Sequence, residues 1–182
     1  MFEIYWQKKA NMKIVDLEMV DYHGGSIRVY AKKSNYFSSK IIKNLIKKET
    51  QLGVFDFKTY YALMELWTKN KLKIFENVSE IKSKNGHVIA VGAAAKGNTM
   101  MNFAGIRPDL IHYVVDKNPA KQGKYMPGSR IPIKTEEYLR HDEPNYIIIL
   151  PWNLKNEVIE QLEYIKQKGT QFVTFIPAME VI

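Results

Sequence analysis

The sequence predicts an α/β protein: a Rossmann-like, mostly parallel sheet with flanking helices, preceded by a β-hairpin and two long helices. Three observations predict it. From His87 onward, apolar runs alternate with stretches of helical period. The runs themselves, His87–Val91 and Tyr146–Leu150, are nearly unbroken Val/Ile/Ala series, the pattern of strands covered on both faces. Ahead of them lie two loosely alternating segments around His23-Gly24-Gly25 and then two stripes of helical spacing. The divisions expected are residues 1–33 as a hairpin, 34–85 as a two-helix connector and 86–182 as the Rossmann-like domain.

Each element has a local reason. Met12–Leu17 and Ser26–Ala31 alternate, and the adjacent glycines between them give the backbone access to positive φ. A two-stranded ribbon is barely stable alone, so this one is expected to belong to a sheet whose other strands lie elsewhere. From Ser38 to Leu52, Ile41, Ile42, Leu45, Ile46 and Leu52 form an apolar stripe, with Gly53 placed to end the helix. Asp56 offers an N-cap to a longer helix carrying Phe57, Tyr60, Met64, Trp67, Ile74, Val78 and Ile81, which Asn85-Gly86 stops. At ~1.5 Å per residue that rod would reach ~40 Å. Its aromatic stripe reads as core.

Beyond residue 86 the expected elements are a strand at His87–Val91, a helix near Lys96–Ala104 and a strand at Ile111–Val115. A short Ile131–Ile133 piece and a helical turn near Glu136–Leu139 follow. Then come a strand at Tyr146–Leu150, a helix over Asn153–Lys168 capped by Asn153 and ended by Gly169, and a strand at Gln171–Ile176.

Composition narrows the function. Of 182 residues 46% are hydrophobic, which excludes a disordered chain, and the absence of cysteine excludes disulfides, thiolate zinc, iron–sulfur clusters and a cysteine nucleophile. The longest apolar runs, Val88–Ala95 and Tyr146–Trp152, fall far short of the ~20 residues that span a bilayer, and no secretory pattern is present. A cytoplasmic protein without membrane contact is expected. The net charge is +8, with Lys32, Lys33, Lys40, Lys43, Lys47 and Lys48 in one stretch. No aromatic–basic interleaving accompanies them, so a solvated helix face is expected and nucleic acid is not. A phosphorylated small molecule would feel the same field.

In an open parallel sheet a ligand lies beyond the carboxyl ends of the strands. Four segments converge there. Gly92–Thr99 turns the first strand into its helix, where small residues admit a ligand, helix N–H groups face outward and Lys96 adds charge. It is neither a Walker loop nor G-x-G-x-x-G, and a tight turn packed with small residues reads equally well. Asp116, ending the next strand, stands where dinucleotide folds carry a ribose-binding acid about 20 residues past the glycine turn; a capping role competes evenly. Lys117–Gly128 is expected to be a mobile loop whose Lys121, Lys124 and Tyr125 could close on an anion and a base, or a plain solvated loop. Trp152 and Asn153 follow the third strand, Trp152 as a stacking wall or as packing. His23, His87, His112 and His141 show no metal spacing and pair locally with no carboxylate.

Four stretches occur in order: His23–Tyr30; Gly92-Ala93-Ala94-Ala95-Lys96-Gly97-Asn98-Thr99; Val115-Asp116-Lys117-Asn118-Pro119-Ala120-Lys121-Gln122-Gly123-Lys124-Tyr125-Met126-Pro127-Gly128; and Ile149-Leu150-Pro151-Trp152-Asn153. Together they resemble the C-terminal domain of the SAM-dependent sugar C-methyltransferases, enzymes that methylate nucleotide-linked deoxysugars. The resemblance runs from about Met12 to the last residue. It implies a Rossmann-like substrate domain that holds a nucleotide sugar, with SAM and the catalytic residues on a central domain of which residues 1–33 carry only the last two strands. No catalytic residue, no metal and no cofactor are then expected on this chain itself. Lys96, Asn98, Thr99, Lys121 and Lys124 would contact phosphate or sugar, Asp116 a ribose hydroxyl, and Tyr125, Trp152 and Asn153 would complete the site. His23, Gly24, Gly25, Ser26 and Arg28 would form the domain junction. The expected partners are a nucleotide-linked sugar and a SAM-binding domain or subunit, together with further copies of the chain. Two other readings stand beside this one: a nicotinamide- or CoA-binding Rossmann module, and a protein- or nucleic-acid-interaction module.

Overall fold

A computed structural model describes residues 11–22, 25–33, 40–84, 86–176 and 178–182. His23 and Gly24 of the expected junction, the expected helix start at Ser38, and Asn85 lie outside the described residues. Two compact units divide between Glu65 and Leu66.

In the first unit β1 (Lys13–Val20) and β2 (Ser26–Lys32) pair antiparallel, from Lys13 opposite Lys32 to Val20 opposite Ser26, with an irregularity between Ile14 and Asp16. Gly25 enters β2 with φ 109°, which a side chain would resist. Arg28 and Tyr30 both reach Glu18 across the ribbon, at 3.0 and 2.9 Å. Helix α1 (Lys40–Gln51) packs on β1 and buries Ile42, while Ile14 is buried on the ribbon. Gly53 ends it with φ 69°. The Asp56 carboxylate accepts the Lys58 N–H at 3.0 Å and so starts α2 (Phe57–Ser83). The aromatic stripe expected to be core is exposed along the first half of α2: Phe57, Tyr60, Met64 and Trp67 all face solvent, whereas Ile74 and Val78 further on are buried.

The second unit contains the rest of α2 and a six-stranded sheet. Its elements are β3 (Val88–Val91), α3 (Ala95–Ala104), β4 (Val114–Val115), β5 (Ile133–Lys134), α4 (Glu136–Arg140), β6 (Tyr146–Ile149), a 3₁₀ turn at Trp152–Leu154, α5 (Lys155–Gln161), α6 (Glu163–Lys166), β7 (Gln171–Thr174) and β8 (Glu180–Val181). The strand order is β5-β4-β3-β6-β7-β8, parallel throughout except for β8, which runs antiparallel to β7. This is the mostly parallel α/β sheet expected, in the doubly wound order, reversing between β3 and β6.

Alternate residues of the strands feed two core clusters. Val88, Ala90, Val114, Ile148 and Val173 join Ile74 and Val78 of α2 and Met101 and Ala104 of α3. Ile89, Val115, Ile147, Ile149 and Phe172 join Leu139 of α4, Val158 of α5 and Leu162 and Ile165 of the following turn. Coverage on both faces is why these strands read as continuous apolar runs.

Three expectations need correction. The strand foreseen at Ile111–Val115 is regular only at Val114–Val115, although His112 N–H still donates to Val88 O and Ala90 N–H to Tyr113 O. The single helix foreseen over Asn153–Lys168 is a 3₁₀ turn and two short helices, broken at Leu162 (φ −107°, ψ 18°), whose side chain is buried. Asn153 does not cap it; Leu154 precedes α5, with no side-chain cap. β8 was not foreseen, since two residues carry no period. Among the described residues no helix is long and apolar enough to cross a membrane.

Gly97 sets how closely α3 lies on the sheet: a Cβ there would sit 2.4 Å from Leu150 Cβ. Gly97→Ala is expected to lower stability by about 1–3 kcal/mol through overpacking, read as a lower urea midpoint at unchanged m-value.

Candidate functional site

At the carboxyl ends of β3, β4 and β6 the chain turns three times in close quarters. After β3, Gly92 takes φ 84° and donates its N–H to Val115 O at 2.7 Å. A Cβ on Gly92 would stand 2.6 Å from Pro151 Cδ, so the turns after β3 and β6 touch where the strand order reverses. Helix α3 follows with Ala94 as its N-cap, which brings no side-chain cap to the first-turn N–H groups. A helix start of that kind favours an anion.

Asp116 binds the turns to each other. Its Oδ2 accepts the Ala93 N–H at 2.7 Å and faces Lys121 Nζ at 3.1 Å, while its Oδ1 accepts the Asn118 N–H at 2.8 Å. Lys121 Nζ also donates to Ala93 O at 2.9 Å, and Gln122 Nε2 to Asp116 O at 2.9 Å. With its side chain only 11% exposed, Asp116 is an anion whose desolvation is offset by two N–H groups and an ammonium.

The loop expected to be mobile is tied down along its length. Gly123 N–H donates to Ile133 O, Ile133 N–H to Lys124 O, Met126 N–H to Ile131 O and Arg130 N–H to Met126 O. Met126, Ser129 and Ile131 are buried. Asn102 on α3 clasps the loop from the side, donating to Pro127 O at 2.8 Å, with Gly128 so close that a Cβ would meet Asn102 Oδ1 at 2.3 Å. Hydrogen bonds spent inside the loop, rather than solvation, hold it in place.

Between these turns lies a crevice of about 200 Å³ with an apolar floor, lined by Gly92, Pro151, Asp116, Lys117, Glu136 and Gln161 among others. Lys117 Nζ donates to Gln161 Oε1 at 2.8 Å and faces Glu136 Oε2 at 3.6 Å across its mouth. Of the residues selected from sequence, Asp116 lines this crevice. Lys96 and Thr99 are exposed on the first turns of α3, Thr99 Oγ1 donating back to Ala95 O at 3.1 Å. Asn98 accepts from Asn102 Nδ2 at both its backbone and side-chain oxygens. Lys124 and Tyr125 are exposed on the loop, Tyr125 bridging to Pro132. Trp152 is half-buried and Asn153 exposed in the 3₁₀ turn. Glu136 and Gln161 were not foreseen; 25 residues separate them and no local pattern marks either. Gly25, Ser26 and Arg28 of the expected junction are on or beside β2 in the first unit. Among the described residues no group of three or more His, Cys, Asp or Glu side chains is arranged to hold a metal ion.

The profile of the family described as C-methyltransferase C-terminal domain matches residues 21–177. The chain belongs to this family. It is also similar to the C-methyltransferase NovU of Streptomyces niveus, 29% identical over 173 residues, which cover 94% of this chain and 41% of NovU. The chain thus spans about two-fifths of the length of this curated relative. All the turns described above fall within the stretch matched by the C-methyltransferase C-terminal domain profile.

Replacing Asp116 by Ala strands the Ala93 and Asn118 N–H groups and the Lys121 ammonium. The expected cost is about 1–3 kcal/mol, with faster amide exchange across residues 117–130 while β6 and β7 stay protected.

Proposed function

We propose that this chain is the nucleotide-sugar-binding portion of a SAM-dependent C-methyltransferase, orienting a sugar nucleotide for methyl transfer by a SAM-binding domain or subunit outside this sequence. The observation that carries the reading is the crevice at the reversal of strand order, taken together with an α3 start that no side chain caps. Membership in the family supports it independently. Lys96 and Lys124 are the proposed phosphate contacts, with Asn98, Thr99 and Asn153 alongside them and Tyr125 and Trp152 as stacking partners for base or sugar. Asp116 serves the site mainly as an organiser, since both its oxygens already accept hydrogen bonds. Holding the acceptor sugar in one orientation is the contribution such a domain makes to rate. SAM, bound on the other body, supplies the methyl group.

Exposed apolar side chains in the first unit, Phe57, Tyr61 and Met64 of α2 and Ile27 and Val29 of β2, support a partner body there. The same surfaces support association between copies, which light scattering at high concentration measures.

A thermal-shift titration tests the reading. A nucleoside-diphosphate sugar is expected to raise the melting temperature by several degrees at saturating concentration, and SAM alone to leave it unchanged. The pair Lys96→Ala and Lys124→Ala is expected to weaken the sugar nucleotide about tenfold or more. Protection by SAM alone, or by NADH and not by the sugar nucleotide, would replace this function with another.

A further inference from the structure

At the amino ends of the strands, far along β3 and β4 from the crevice, five side chains from four separate segments form one chain of contacts. Lys82 Nζ on the last turn of α2 lies 2.9 Å from His112 Nε2, and His112 Nδ1 lies 3.1 Å from His87 Nδ1. His87 Nε2 lies 2.7 Å from Asp142 Oδ2, which also accepts the Tyr113 hydroxyl. The two imidazoles meet edge to face with centroids 4.4 Å apart.

Only one arrangement of protons satisfies every contact. A lysine ammonium has donors and no acceptor, so His112 Nε2 must accept. The neutral His112 then carries its proton on Nδ1, where Val88 O stands at 3.0 Å to receive it together with His87 Nδ1. His87 must therefore accept at Nδ1 and donate from Nε2 to Asp142. We propose that Lys82, His112, His87, Asp142 and Tyr113 form a pH-sensitive clasp, closed when both imidazoles are neutral, that fastens the last turn of α2 to the amino ends of β3 and β4.

Acidification opens the clasp around His112. A proton added to His87 Nδ1 would oppose the His112 Nδ1–H; one added to His112 Nε2 would oppose the Lys82 ammonium. The first conflict is relieved when His112 moves its proton to Nε2, which forfeits its bond to Val88 O, and the repulsion then falls on Lys82, whose side chain can swing into solvent. The His87–Asp142 contact survives and becomes an ion pair. Burial works against the Asp142 carboxylate, but hydrogen bonds from Tyr113 and His87 outweigh it and hold its pKa below the ordinary value. Asp142 is thereby favoured in its charged form. Tyr113 stays protonated, because burial and the adjacent carboxylate raise its pKa. The other ionisable groups around the clasp are Tyr138 of α4, edge-on to Tyr113, Tyr164 of α6, and Glu143 beside Asp142, paired at 3.4 Å with Lys168.

Nitrogen-15 long-range spectra of the imidazoles in the full chain read the proton positions. At pH 8 His112 is expected in the Nδ1–H form and His87 in the Nε2–H form. Between pH 8 and 5 the amides of the last turn of α2 are expected to exchange about two- to tenfold faster than the intrinsic pH dependence allows, the worth of one hydrogen bond. Lys82→Met, at a half-buried helix position, is expected to fold normally and to show the faster exchange already at pH 8, with no further response to acid. An Nε2–H form of His112 at pH 8 would overturn the clasp. So would exchange in α2 indifferent to pH, or an acid response that persists in Lys82→Met.

Discussion

The buried carboxylate of Asp116 is the constraint on which the carboxyl end of the sheet depends. It stands at the end of β4 and ties that strand to the turn after β3, through the Ala93 N–H, and to the following loop, through the Asn118 N–H and the Lys121 ammonium. The Ala93 N–H, part-buried at the turn after β3, would otherwise be left short of a partner. Three contacts take up most of what the two oxygens can accept, and Asp116 still lines the crevice. The same residue that suggests a ribose contact by its position in the sequence is engaged, in three dimensions, in building the walls of the crevice.

Glycine at this end serves close approach as much as conformational freedom. Gly92 needs its positive φ, yet it is also pressed against Pro151, and Gly97 lies beneath Leu150 with ordinary helical geometry. A run that looks like a ligand-cradling loop is thus in large part the joint by which α3 sits over β3 and β6. The two roles are compatible: the free N–H groups that start a helix seated this close to the strand ends still favour an anion.

What was legible in the sequence was whatever a short window contains. β3 and β6 stood out as apolar runs because both their faces are covered, and α1 and α2 because their stripes and their stops at Gly53 and Gly86 are local. The break at Leu162 was not legible: Leu154, Val158, Leu162 and Ile165 keep a helical period across it, and the φ of a single residue leaves no mark on that period. β8 is too short to show alternation. The exposed first half of the α2 stripe has the spacing of core, and spacing alone does not say what covers it. At the site, Asp116 was found by its distance from the glycine turn, whereas Glu136 and Gln161 reach the crevice from elements whose sequences hold no hint of it. The His87–Asp142 and Lys82–His112 contacts span 55 and 30 residues, beyond any spacing rule for histidine.

The charge of +8 therefore says little about what holds an anion here. At the crevice the cations largely meet anions of the chain itself: Lys121 is spent on Asp116, Lys117 faces Glu136, and Arg140 approaches Glu136 at 3.8 Å from the other side. Pairs of this kind cancel at distances beyond the screening length of about 8 Å in physiological salt. Any attraction for a diphosphate must come from groups within a few ångströms of it. Such attraction is short-ranged and directional, so it fixes a ligand's orientation more than it gathers ligands from solution. The proposed task, holding a sugar in one pose for a second body to modify, needs the first property far more than the second.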